Sequence, residues 1–88
     1  MEQGSGWDPS GGPRTQPWWT EHAAFMDDLL ARGLIELAGP VDGGALVVLR
    51  TESVDEVREW FAADPWSVHD VCPVTDVRTW TIYLDGRS

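Results

Sequence analysis

His22 and Asp64 are the two side chains of this 88-residue chain whose types and places could carry acid/base chemistry. His22 falls near the start of one expected helix, where the partial positive charge of the helix terminus opposes an imidazolium. Asp64 falls at the end of a second expected helix, where the partial negative charge opposes a carboxylate. Each placement is unfavourable alone. Brought together across the seam between sheet and helices, the two groups relieve each other, and an imidazole oriented by a carboxylate is a general base suited to neutral pH. The expected arrangement is a His22/Asp64 dyad opening on a cleft walled by Trp18, Phe25 and Trp66, which would contact a small substrate. A structural reading stands beside it: a single His on an apolar helix face is commonly a hydrogen-bonded core residue, and an Asp before Pro is commonly a turn residue.

The other polar residues offer less. His69 and Asp70 are adjacent and fall in an expected loop. Two His without a ligand motif make no metal site, so neither a metal nor an organic cofactor is expected. Cys72 has no activating cation near it in sequence and reads as a buried or incidental thiol. No Gly-x-Ser-x-Gly surrounds any serine, and no phosphate-cradling glycine loop precedes a helix.

The dyad depends on the elements that carry it. In residues 18–33, Trp18, His22, Phe25, Met26, Leu29, Leu30 and Gly33 recur at helical spacing, with Glu21, Asp27, Asp28 and Arg32 opposite. Thr15 or Gln16 is the expected cap of this helix and Gly33 its C′ residue. Residues 34–38 read as a short strand ended by Gly39-Pro40, and Asp42-Gly43 as hairpin chemistry leading into residues 45–50. That second strand is apolar on both faces, so both must be covered. Ser53-Val54-Asp55-Glu56 is a capping box that opens a second helix, and Asp64-Pro65 ends it. Residues 66–71 read as a loop or short helical turn. Residues 77–84 alternate, with Trp80, Ile82 and Leu84 on the buried face of a last strand. The result is an α+β chain in the ferredoxin-like split βαβ order with its first strand missing. Residues 1–17, rich in Gly and Pro, form an arm or loop before a single domain at 18–88, with Trp7 packing back on the body.

Composition narrows the partners. A domain this small buries only about 60–65% of the surface of its unfolded chain, so its core is marginal. Six Trp cannot all hide in it, and some are expected at a cleft or subunit interface. A net charge of −9, from 15 acidic and 6 basic residues, opposes binding to nucleic acid and to anionic membranes. The single cysteine rules out an intrachain disulfide, and no run approaches the roughly 20 apolar residues of a membrane span. A cytoplasmic protein is expected.

The chain resembles the YCII-related family at Trp7-Asp8-Pro9-Ser10, at Gln16 with Trp19, at Glu21-His22-Ala23-Ala24-Phe25-Met26, at Gly33 and at Gly39-Pro40. The likeness continues at Ala63-Asp64-Pro65-Trp66 and at Trp80 with Leu84-Asp85-Gly86, so that it covers nearly all of the chain. The resemblance implies a dimeric α+β barrel in which two ferredoxin-like sheets face each other, with a His/Asp pair at the active-site cleft. Here those positions are His22 and Asp64. Members of that family begin with an apolar strand that this sequence lacks. Three outcomes are then open: a native start upstream of Met1, direct parallel pairing of residues 45–50 with 77–84, or a compromised fold. The expectation is a homodimeric enzyme using His22 and Asp64 on an unknown small molecule. The alternative is a module that binds a small molecule or dimerises without chemistry.

Overall fold

Turn chemistry at Asp42-Gly43 starts the fold. The computed structural model describes residues 1–87. Gly43 takes φ 78°, a left-handed value that a residue without Cβ enters freely, and reverses the chain between β1 (Ile35–Val41) and β2 (Gly44–Leu49). The two strands pair antiparallel and make up the sheet. β1 runs past Gly39-Pro40, where the sequence suggested it would stop. The reason lies one strand away. Ala45, opposite Pro40, exchanges both of its backbone hydrogen bonds with Met1, donating at 2.9 Å and accepting the terminal amine at 3.0 Å. Those groups point away from β1, so Pro40 and Ala45 form a non-hydrogen-bonded pair and the missing N–H of proline loses no rung. Close approach of Met1 also requires Gly44, because a Cβ there would collide with the Met1 carbonyl.

Three helices complete the α+β unit: α1 (Trp19–Ala31), α2 (Val54–Phe61) and α3 (Pro65–Val68). α1 ends as its sequence indicates. Gly33, at φ 75°, donates to the Leu30 carbonyl and Leu34 donates to that of Leu29, the paired bonds of a Schellman motif. Its start differs from expectation. Thr15 is taken up in a short 3-10 turn, Gln16 turns inward, and the cap position falls to Trp18, which offers no side-chain cap. In α2, Ser53 Oγ accepts from the Glu56 N–H at 3.1 Å, while the Ser53 N–H donates to Thr51 Oγ1 instead of to Glu56. Half of the expected capping box forms.

Two small apolar clusters hold these pieces. Leu29, Val57 and Phe61 fill the space between the helices and the inner face of the hairpin, joined by Phe25, Ile35, Val47 and Leu49. Trp66, Val71 and Cys72 form the second, against Trp7, Trp19 and Met1. Residues 1–17 are therefore no free arm. Glu2, Gly4 and Gly6 donate backbone bonds to Pro73, Val71 and Asp70, and the Trp7 ring meets Trp66 edge-on at 5.7 Å.

The last expected strand does not form. Residues 77–84 have no regular structure, and Trp80, Ile82 and Leu84, placed by their alternation on a buried face, are 62%, 43% and 94% exposed. Nor do residues 45–50 pair with them in parallel. Alternation marks a segment that fits a half-buried pleated surface, but a strand also needs an edge to pair with. The neighbouring chain at that position is absent from the two-stranded sheet.

Candidate active site

The second cluster brings the dyad together. His22 lies in the first turns of α1, with its backbone N–H donated to the Trp18 carbonyl. Asp64 arrives from the other side of the sequence, and its role differs from the expected one. It is the N-cap of α3, ahead of Pro65 at the first helical position, and its Oδ1 accepts the Trp66 N–H at 3.2 Å. A carboxylate at a helix N-cap meets backbone donors, so the local field favours its charge. The field at Asp64 is thus the reverse of the one that its expected place at a helix end implied.

His22 Nδ1 and Asp64 Oδ1 are 2.8 Å apart, with His22 7% exposed and Asp64 fully buried. An ionised carboxylate only accepts, which assigns the proton to Nδ1: the imidazole donates to Asp64 there and keeps a lone pair at Nε2. Nε2 has no protein partner among the described residues and is not fully buried. Among the described residues nothing donates to Asp64 Oδ2, which is buried. Both protein donors therefore converge on one oxygen.

Indoles box the imidazole. Trp66 stacks on His22 with centroids 3.8 Å apart and planes 4° from parallel. Its ring is pinned by a 2.9 Å bond from Nε1 to the Pro17 carbonyl. Trp19 leans on both, at 6.1 Å from His22 and 5.7 Å from Trp66. A face-on indole favours a cation, so the stack stabilises the imidazolium that forms when Nε2 takes a proton.

Of the three expected wall residues, Trp66 alone is shown stacked on the imidazole. Trp18 stacks instead on His69, at 3.9 Å and 1°. To do so it takes φ 65°, which costs a bulky residue about 1–2 kcal/mol that the stack helps to offset. Phe25 turns to the other cluster and meets Phe61 edge-on at 5.4 Å. Two depressions in the surface, of about 570 and 230 Å³, are lined by neither His22 nor Asp64.

Two supports of the site were not picked out as such in the sequence. Gln16, buried, accepts from the Asp8 N–H at 2.7 Å and donates to the carbonyls of Asp8 and Gly12, closing the loop that leads into Pro17. Trp19 is the other. Asp70 serves the N-terminal segment: its Oδ2 accepts from both the N–H and the hydroxyl of Ser5, and these bonds hold its carboxyl below the usual carboxylate range. Cys72 is buried, and loss of water pushes its thiol up, which suits packing rather than nucleophilic attack. No three His, Cys, Asp or Glu side chains among the described residues gather as a metal-binding group. No helix among them is long and apolar enough to cross a membrane.

No family model, curated protein or solved structure matches the chain.

Proposed function

We propose that the protein is a small acid/base enzyme of the YCII-related type, in which His22 takes and returns a proton at Nε2 while Asp64 orients the ring through Nδ1. The observation that carries this reading is the 2.8 Å Nδ1 to Oδ1 bond together with an Nε2 that, among the described residues, is neither bonded nor fully buried. Asp64 holds the tautomer, and Trp66 and Asp64 both favour the imidazolium formed in mid-reaction. The substrate this reading expects is a small cyclic or aromatic molecule. Acidity and a single cysteine support a cytoplasmic site of action.

The ferredoxin-like arrangement and the homodimer belong to the same reading. The Met1 to Ala45 rung on the free edge of β2 and the strand-like alternation of residues 77–84 support it. So does the apolar outer face of the hairpin, where Leu37 and Leu46 are exposed.

A panel of small cyclic ketones and phenols tests the chemistry, with uptake of solvent deuterium at carbon followed by NMR. The expected result is exchange catalysed by the native chain and lost in His22→Gln, with far-UV circular dichroism unchanged. Equal exchange by both proteins would remove His22 from the reaction. The deep burial of the pair favours a second reading, a structural dyad in a module that binds without chemistry. Quenching of Trp fluorescence by a panel compound, with no exchange in either protein, would select it.

A further inference from the structure

Asp64 is held at one oxygen and bare at the other. Oδ1 takes both the His22 Nδ1–H and the Trp66 N–H, while Oδ2, equally buried, has no donor among the described residues. Two donors on Oδ1 mark a carboxylate, and a buried carboxylate oxygen left without a donor is costly. One other buried side-chain atom among the described residues shares that condition: Ser67 Oγ. The two residues lie one turn apart in α3, Asp64 at the N-cap and Ser67 at the third helical position.

That spacing is the one at which the side chains of an N-cap and a third helical position come together in capping boxes. The backbone donors of the turn are already committed. Trp66 N–H goes to Oδ1, and the N–H groups of Ser67 and Val68 go to the Asp64 carbonyl, at 2.9 and 3.0 Å. In the surrounding cluster the Trp66 indole N–H is spent on the Pro17 carbonyl, and Cys72 offers only a weak S–H donor. The Ser67 hydroxyl, free to rotate about Cα–Cβ, is the strong buried donor still unspent.

We propose that Ser67 is a positioning residue of the dyad: its hydroxyl turns onto Asp64 Oδ2 and donates there, so that the carboxylate is held at both oxygens with Oδ1 aimed at His22 Nδ1. The bond has a second effect. A carboxylate that takes a donor at Oδ2 places less of its charge on Oδ1 and pulls less on the Nδ1–H, so Ser67 sets how strongly Asp64 polarises the imidazole. This role rests on the acid/base reading above, in which Asp64 orients the ring.

Proton NMR of the full chain, read at the His22 Nδ1–H resonance in Ser67→Ala, Ser67→Thr and Cys72→Ala, tests it. The resonance should move downfield in Ser67→Ala, where Oδ2 loses its donor, and stay near its native position in Ser67→Thr, which keeps a hydroxyl, and in Cys72→Ala. The melting midpoint supplies an independent sign. Deleting a buried hydroxyl that has no partner raises it, whereas deleting the donor of a buried carboxylate lowers it; a fall is expected for Ser67→Ala, smaller for Ser67→Thr. An unmoved resonance or a raised midpoint in Ser67→Ala would overturn the role of Ser67 and leave the dyad standing. A resonance that moves in Cys72→Ala alone would assign the donor to the thiol and overturn it equally. A native His22 ring without a proton at Nδ1 would remove the acid/base reading itself, and the role of Ser67 with it.

Discussion

Asp64→Ala should destabilise the fold by about 2–4 kcal/mol, because two buried donors, His22 Nδ1–H and the Trp66 N–H, lose their acceptor at about 1–3 kcal/mol each. Relief from burying a carboxylate whose Oδ2 has no donor offsets part of that loss. A domain of this size is stable by about 4–13 kcal/mol in all, so the variant sits near the edge of folding. In a thermal melt the midpoint should fall by about 10–25 °C. Asp64→Asn keeps an oxygen for the Trp66 N–H and should lose distinctly less. A loss below about 1 kcal/mol for the alanine variant, within the range of a single cap, would mean that the buried pair is not formed in solution.

Trp66→Ala should cost as much or more. The indole is buried, stacks on His22, meets Trp7 and Trp19, and donates to the Pro17 carbonyl, so its removal opens the centre of the second cluster. Truncations of this kind cost about 3–5 kcal/mol, a large share of what so small a domain has. Trp66→Phe separates packing from hydrogen bonding: it retains an aromatic plane for the imidazole and loses the bond to Pro17, for about 1 kcal/mol. Urea titration followed by circular dichroism measures both. Equal losses in the two variants would place the stability in the Pro17 bond, and a negligible loss for alanine would mean that the indole is not packed as described.

The dyad was legible because its two members are the chain's conspicuous ionisable groups at helix boundaries, and because Asp64-Pro65 is a strong local signal. Its meaning was misread in one respect. Proline after an Asp ends a preceding helix, yet it equally opens a following one with the Asp as cap, and here it does both within four residues of Phe61. The hairpin and the end of α1 were readable because Gly43 and Gly33 supply the left-handed turns that the local chain demands. Tertiary partners decided what was not readable. Trp18 leaves the wall of the site because His69, distant in sequence, offers a parallel plane. Gln16 becomes a hub because the loop at Asp8 and Gly12 folds over it. Residues 77–84 carry a strand's alternation without a strand's neighbour, and period alone cannot report whether an edge is within reach.

In the proposed chemistry His22 holds its proton at Nδ1, against Asp64, and leaves Nε2 bare. Long-range ¹⁵N–¹H NMR of the histidine rings at alkaline pH reads this directly. The expected result is a His22 ring protonated at Nδ1 and unprotonated at Nε2, with that preference weakened in Asp64→Asn. A native His22 ring protonated at Nε2 would contradict it, since neither the bond to Asp64 nor the base at the surface could then exist as described.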